Sequence, residues 1–234
     1  MRRNQVLASL DPPDLAALAP HLVPVALPRR LTLDLANQRT THLYFPTDGV
    51  GSIVSRGHNG KRIEVGLFGR DGMSGTAVVL GADRSPTETF MQIGGEGFRI
   101  AATEFGPILQ QRPRLQVAML RYVQVLTVQT QQTMLANAHA RIDARLARWL
   151  LMCRDRVDGD DIEMTHEFLS LMLGVRRAGV TVALQAAAAR GLIATARGHL
   201  TILDREGLIA LAGRTYGVPE AEAARLLRAA APPA

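Results

Sequence analysis

The hydrophobic pattern of this 234-residue chain changes its period near Thr103, and this change limits what the chain can fold into. Before Thr103, short apolar runs separated by turn signals are typical of strands in a barrel or jelly roll. Those runs are HLVPVAL, THLYF, GVGSIV, RIEVGLF, AVVLG, TFMQI and EGFRI. Asn59-Gly60 gives the clearest hairpin signal among their connections. After Thr103 the apolar residues recur at helical spacing, so the sequence predicts a β-rich unit followed by helices.

A long segment from Pro113 to about Asn137 contains neither glycine nor another proline, which predicts one long helix. Its heptad spacing indicates a seam that would pair two copies of the chain. The predicted dimer interface consists of Leu115, Met119, Tyr122, Leu126, Gln129 and Thr133. The alternative is a helix packed on its own barrel. Because Val117, Ala118 and other neighbours are also apolar, one face could meet the barrel and another a partner.

The C-terminal part carries two short helices around a glycine turn. After an amphipathic helix over residues 141–157, Thr165 is a suitable N-cap for the first short helix and Gly174 a suitable left-handed end. A second helix continues through Arg190 and closes at Gly191. This order is typical of a helix-turn-helix motif.

The outward residues of the second helix suit base edges in a DNA major groove, since arginine pairs with guanine and glutamine with adenine. The following segment LIATARGHLTILD predicts a two-stranded wing whose tip would contact phosphate. The predicted DNA-binding residues are Thr165, His166, Arg176, Arg177, Ala178, Thr181, Val182, Gln185, Arg197 and His199.

The distribution of charge supports this interpretation. The net charge of +6 comes almost entirely from arginine, which GC-rich codons would also produce. However, the 36 residues from Phe168 to Leu203 contain no acid and hold four arginines. The acid-free window coincides with the second helix and the wing, so we predict DNA binding there.

Residues 141–204 resemble the winged helix of the Crp/Fnr transcription regulators. The matching pieces are RLARWL (145–150), THEFL (165–169), LGV (173–175), VTVAL (180–184) and RGLI (190–193). The resemblance implies an α+β fold with three parts. These are a cyclic-nucleotide-binding-like, jelly-roll-like β-roll sensor over 1–112, a dimerisation helix over 113–137, and a winged helix-turn-helix domain over 138–234 ending in a helical extension, PEAEAARLLRAA.

The same resemblance implies a sequence-specific transcription regulator that binds near-palindromic double-stranded DNA as a homodimer and works with RNA polymerase. Arg176 stands where family members often have Ser or Thr, and Val182 where many have a base-reading arginine. The operator is therefore expected to differ from the usual half-sites.

The sensor part departs further from the family. Gly75, Thr76 and Glu88 are the candidate effector-pocket residues. Thr76 replaces the family's ribose-binding glutamate, and Glu88 is expected to occupy the place of its phosphate-binding arginine. A carboxylate facing a phosphodiester is repulsive, so we predict that the chain does not bind cAMP. Cys153 is the single cysteine, which excludes a four-cysteine iron–sulfur cluster.

The alternative function is a cupin-like, metal-dependent enzyme on the β-roll. His42, His58 and Glu64 lack the close His-x-His pairing of such sites, and no side chain can be assigned as catalytic acid, base or nucleophile. We therefore predict neither an enzyme nor a bound metal or cofactor. No apolar run reaches the length of a membrane span and the N-terminus lacks the apolar region of a signal peptide, so a cytoplasmic location is expected.

Overall fold

A computed structural model describes residues 1–58 and 60–227. The N-terminal part begins with two short helices, α1 (Gln5–Ala8) and α2 (Pro12–Leu18). Asp11 caps α2 by accepting a hydrogen bond from Asp14 N over 2.9 Å. The strands that follow are β1 (Val23–Leu27), β2 (Thr32–Asp34), β3 (His42–Pro46), β4 (Val50–Arg56), β5 (Arg62–Phe68), β6 (Glu88–Ile93) and β7 (Gly95–Ala101).

These strands form two antiparallel sheets that pack face to face. Their orders are β1-β7-β3 and β2-β6-β4-β5. Side chains from both sheets fill the space between them, namely Leu27, Leu33, Tyr44, Phe68 and Met91. The Phe68 ring lies so close to β4 that a Cβ on Gly51 would be 2.2 Å from its Cζ atom. The predicted jelly-roll-like β-roll is therefore present, with these side chains in its interior; it is called the sensor unit below, after that prediction.

The structure differs from the predicted strands in two places: one predicted strand forms a helix, and β2 was not predicted. The apolar run AVVLG forms part of α3 (Thr76–Val79), because Gly75 adopts a left-handed φ of +74° and turns the chain out of the extended conformation. Strand β2 was missed because three residues are too few to show a period. Strands β4 and β5 pair as antiparallel neighbours, as the hairpin prediction requires, although Asn59 itself lies outside the described residues.

The helical part begins with α4 (Ala102–Gln111) and the long α5 (Pro113–His139). Four of the six residues of the predicted dimer interface on α5 are covered by the chain itself. Leu115, Met119, Tyr122 and Gln129 are buried against the chain's own sensor unit. The Tyr122 hydroxyl donates to Met73 O over 2.9 Å, and Gln129 Oε1 accepts from Leu67 N over 2.7 Å.

The other two seam residues, Leu126 and Thr133, are half-buried in this chain. A heptad pattern specifies an apolar stripe but not what covers it, and here the covering surface is the β-roll.

The C-terminal part forms a three-stranded sheet with helices packed around it. Its elements are α6 (Ile142–Arg154), β8 (Asp161–Glu163), α7 (His166–Leu173), α8 (Arg177–Ala189), β9 (Ile193–Ala196), β10 (His199–Ile202), α9 (Arg205–Ala212) and α10 (Val218–Leu226). The sheet order is β8-β10-β9. Helix α10 packs against α5, and Leu227 joins the same core cluster as Val125. The predicted helical extension is present as α10, and its residues 228–230 lie outside the described part.

The outer face of the β2-β6-β4-β5 sheet packs on the C-terminal part through a shared core. Leu67 and Phe90 of the sensor lie in one apolar cluster with Trp149 and Leu173. Ion pairs Arg156–Asp71, Arg70–Asp158 and Arg29–Glu163 also join the two parts. Over the residues that the structure covers, no helix is both long and apolar enough to cross a bilayer.

Candidate nucleic-acid interface

Helix α7 and the turn after it have the geometry that the sequence predicted. Thr165 Oγ1 accepts from Phe168 N over 3.2 Å and so caps the helix. Gly174 ends the helix with φ +62°, and Val175 N donates back to Ser170 O over 3.0 Å. This glycine turn fixes the angle at which α8 leaves α7.

Helix α8 separates a buried side from an exposed side. Its buried residues are Val180, Ala183, Leu184 and Ala187, as the period predicted. Its exposed residues include Arg177, Ala178, Val182 and Gln185, with Arg176 exposed at the N-cap. Spacings of one, three and four residues place these side chains on a single face of α8. Val182, with 65% of its surface exposed, gives this face an apolar centre that no described residue covers.

Three of the predicted DNA-binding residues also make hydrogen bonds within the domain. Thr181 is half-buried, and its hydroxyl donates to Arg177 O over 3.1 Å. His166 Nδ1 lies 3.1 Å from Thr181 Oγ1, so this pair joins α7 to α8. The exposed Thr165 hydroxyl serves as the α7 cap described above. His166 and Thr181 therefore hold α8 against α7, and Thr165 caps α7, whether or not these residues also touch a ligand.

The wing is a tight hairpin beside α8. Strands β9 and β10 pair from His199 opposite Ala196 to Ile202 opposite Ile193. Gly198 takes φ +81° in the connection, and both Arg197 and His199 are exposed at the tip. Strand β10 also pairs with β8, which anchors the wing to the rest of the domain.

The arginines of this surface differ from most others in the chain because no acid neutralises them. Within residues 1–58 and 60–227, Arg176, Arg177 and Arg197 form no ion pair, whereas Arg70 and Arg156 each bind aspartate. Unpaired guanidinium groups keep their donors for an external acceptor such as phosphate or a guanine edge. The arginines at the start of α8 and at the wing tip are thus exposed and have no acidic partner among the described residues.

The candidate effector residues do not come together. Gly75 and Thr76 lie at the start of α3, but Glu88 lies on the outer face of β6. The Glu88 carboxylate accepts from Arg62 Nη2 over 3.0 Å and lies 3.9 Å from Arg56. Placing Glu88 at a phosphate subsite was therefore wrong. Side chains alternate along a strand, and here Met91 faces the interior while Glu88 faces out.

Arg84 lies in the segment before β6. Arg84 is exposed and donates to both carboxylate oxygens of Asp83, over 2.9 and 3.1 Å.

A buried carboxylate that was considered only as a metal ligand lies between the two parts. Trp149 Nε1 donates to Glu64 Oε1 over 3.0 Å, and Ser52 Oγ lies 2.7 Å from Glu64 Oε2. Burial raises the pKa of Glu64 to about 8, against the opposing effect of hydrogen bonds from Ser52 and Trp149. No three metal-ligating side chains in the described chain lie together.

The residue spacing of β5 does not predict that Glu64 faces outward. Strict alternation would place Glu64 on the same face as Phe68, which points into the roll. The pairing of β4 with β5 shifts register between Ile53 and Val54, so Glu64 pairs with Val54 and faces outward with it. An irregularity of this kind depends on the partner strand and cannot be found from the spacing of β5 alone.

Comparisons with known proteins agree with this geometry. Residues 144–211 match the Crp-like helix-turn-helix domain. The fold is similar to that of TTHB099, a transcriptional regulator of the CRP family from Thermus thermophilus. The TM-score is 0.65 at 20% identity, covering 81% of this chain and 96% of that one.

The fold is also similar to that of a Crp/Fnr-family protein from Eubacterium rectale. The TM-score is 0.65 at 17% identity, covering 91% of this chain and 99% of that one. For the c-di-GMP-responsive global regulator CLP of Xanthomonas campestris the TM-score is 0.64 at 16% identity, covering 82% of this chain and 99% of that one. No curated protein sequence matches the chain. The chain therefore combines a Crp-like helix-turn-helix domain with the fold of the Crp/Fnr regulators.

Proposed function

We propose that this chain, which has the fold of the Crp/Fnr regulators, is a homodimeric, sequence-specific DNA-binding transcription regulator and not an enzyme. The observation that carries the proposal is the exposed basic surface of α8 and the wing, whose arginines have no acidic partner in the described chain. A helix with such a face fits the major groove, and the wing tip then reaches the phosphate backbone. The cytoplasmic location and the contact with RNA polymerase implied by the family are parts of the same proposal.

The dimer face is proposed on the side of α5 that the sensor unit leaves uncovered. Its apolar residues Val117, Leu120, Met134 and Leu135 are 41–66% exposed. A second heptad stripe runs through this side, consisting of Val117, Leu120, Gln124, Thr127, Gln131, Met134 and Ala138. Pairing two copies of α5 along this stripe would place the two α8 helices on opposite sides of a two-fold axis. An operator with two symmetric half-sites follows from that arrangement.

Selection of bound sequences from a random DNA pool tests the proposed function. We expect enrichment of one near-palindromic sequence, with half-sites about one helical turn apart. Repeating the selection with and without a metabolite extract reports whether a small molecule changes binding. Recovery of no sequence above the starting pool under either condition would contradict the proposal.

Arginine substitutions should separate base reading from phosphate binding. Arg177→Ala is expected to weaken binding to the selected site by roughly 1–3 kcal/mol and to relax the preference at one base pair. Arg197→Ala should weaken binding equally on all sequences and lower the salt dependence by about one counterion. Fluorescence anisotropy on the selected site and on single-base variants, at several salt concentrations, makes the comparison. Equal losses from both substitutions on every sequence would show that Arg177 reads no base.

We also propose that cAMP is not the effector. Thr76 stands in place of the ribose-binding glutamate, and the side chains of Tyr44, Phe68 and Met91 lie in the interior of the roll. Titration calorimetry should therefore detect no binding when cAMP is added to the purified chain. A micromolar dissociation constant would refute this part of the proposal and leave DNA binding untouched.

A further inference from the structure

The contact between the sensor unit and the C-terminal part buries a carboxyl group. Glu64 faces outward from β5 and is only 6% exposed. Its two oxygens meet groups from both parts, since Trp149 Nε1 of α6 donates to Oε1 over 3.0 Å and Ser52 Oγ of β4 lies 2.7 Å from Oε2. Separation of the sensor sheet from α6 would therefore expose this carboxyl group to water.

The hydrogen bonds around Glu64 fit a protonated carboxyl group. The Ser52 hydroxyl contacts both Glu64 Oε2 and Gln92 Oε1, yet it has one proton to donate. With Glu64 protonated, its O–H donates to Ser52 Oγ and the Ser52 O–H donates to Gln92 Oε1, so both contacts are hydrogen bonds. With Glu64 ionised, one contact would join two oxygens without a proton unless the Gln92 amide turned over. The observed arrangement therefore favours the proton.

Burial is the main influence on the charge of this group. It raises the pKa of Glu64 to about 8, although the two hydrogen bonds and the charges of Arg148 and Arg156 oppose the shift. Both arginines have other partners. Arg156 is paired with Asp71, and Arg148 Nε donates to Thr215 O over 2.8 Å. Neither guanidinium group contacts the carboxyl group directly, so their charges do not replace its proton.

The remaining elements packed around this contact bring no unpaired charge to it within residues 1–58 and 60–227. On the outer face of the sheet, Arg62 and Glu88 form an ion pair with each other. Helix α7 contributes the neutral Met172, and α5 contributes the neutral Gln129. Burial raises the pKa of the Cys153 thiol on α6, so this group is neutral as well.

From this geometry we propose that Glu64 is a pH-sensitive switch, whose buried proton holds the C-terminal part on the sensor sheet and whose loss at alkaline pH favours separation of the two parts. In the separated state Glu64 faces water and ionises near pH 4.5, whereas in the docked state it keeps its proton to about pH 8. Between these values the docked state holds one more proton, so each rise of one pH unit lowers the docking equilibrium constant about tenfold. At higher pH both states are ionised and the constant levels off.

Docking also determines where the helix-turn-helix lies. Helices α7 and α8 pack on α6, so we expect the three helices to move together when α6 separates from the sheet. A rise in pH would thereby change the position of α8 relative to α5. The switch does not rest on the proposed function, because docking is measured without DNA.

The rate at which a thiol reagent modifies Cys153, the only cysteine, measures the docking equilibrium. Cys153 is fully buried in the apolar cluster that the two parts share, and it lies one helical turn after Trp149 on the same side of α6. The reagent therefore reaches it only after the parts separate or the chain unfolds. At each pH, the rate in denaturant divided by the rate in native buffer gives a protection factor that is free of the thiol's own titration.

We expect the wild-type protection factor to fall about a hundredfold from pH 6 to pH 8 and then to level off. Glu64→Gln has no proton to lose, so its protection factor should not change with pH. Glu206→Gln, at a side chain 85% exposed, is the control and should follow the wild type. If Glu64→Gln does not fold, Ser52→Ala takes its place. It removes a hydrogen bond that lowers the pKa of Glu64, so the levelling-off should move to higher pH.

Low concentrations of denaturant distinguish separation of the parts from global unfolding. Separation exposes less surface, so the logarithm of the protection factor should fall less steeply with denaturant than global unfolding requires. A slope equal to that of global unfolding would overturn the proposal, because Cys153 would then be exposed only by unfolding. A wild-type protection factor that does not change with pH would also overturn it, as would the same fall in Glu64→Gln as in the wild type.

Discussion

A chain carrying Leu120→Glu and Met134→Glu is expected to become monomeric and to lose about a hundredfold or more in affinity for a palindromic operator. Both side chains lie on the uncovered stripe of α5, and they are 41% and 66% exposed, so glutamates there leave the core of the single chain intact. Across a two-fold axis the new carboxylates would face their own copies and repel. A monomer binds one half-site and lacks the additional affinity that a dimer obtains from binding the second.

Light scattering after size exclusion gives the oligomeric state, and anisotropy on the selected operator gives the affinity. The double variant Gln110→Glu/Gln111→Glu is the matched control, because it adds the same two carboxylates at exposed positions of α4, outside the stripe. It should leave both measurements unchanged. If the variant of Leu120 and Met134 stays dimeric and binds normally, the dimer does not use this stripe of α5.

The second large effect is expected at Glu64. Replacing it by glutamine should make the protein increasingly stable relative to wild type as the pH rises from 4.5 to about 8. Below that range the carboxyl is protonated in both the folded and the unfolded chain. Within it the unfolded chain releases the proton and the folded chain keeps it, so this group lowers the free energy of unfolding of the wild type by about 1.4 kcal/mol per pH unit. Glutamine has no proton to lose and escapes this penalty.

Denaturant unfolding at a series of pH values measures the difference, with Trp149, the only tryptophan, as reporter. Its indole donates to Glu64, so its fluorescence reports directly on this contact. Glu206→Gln, at a side chain 85% exposed, controls for the loss of a glutamate and should follow the wild-type curve. Parallel curves for wild type and Glu64→Gln would mean that the carboxyl is not held protonated in the folded protein.

Glu64 also connects the two parts of the chain. It lies where the outer sensor sheet meets α6, and its hydrogen-bond partners come from both parts, Ser52 from the sheet and Trp149 from α6. The Ser52 hydroxyl contacts both Glu64 Oε2 and Gln92 Oε1.

The predictions that held were those specified by neighbouring residues. The Thr165 cap, the Gly174 turn and the buried side of α8 were all recovered, because capping and helical period depend on residues within a few positions. The missed helix α9 and the misassigned AVVLG segment are short, and short apolar runs do not distinguish helix from strand.

The sequence by itself determined the order of the parts, the helix-turn-helix and its basic exposed face, since local spacing decides which side chains share a helix face. Only the tertiary structure decided which stripe of α5 the sensor unit covers, that Glu88 faces outward to Arg62, and that Glu64 is buried beside Trp149. Those outcomes depend on how surfaces far apart in the chain meet. An apolar stripe or a carboxylate has the same spacing in the sequence whichever surface covers it.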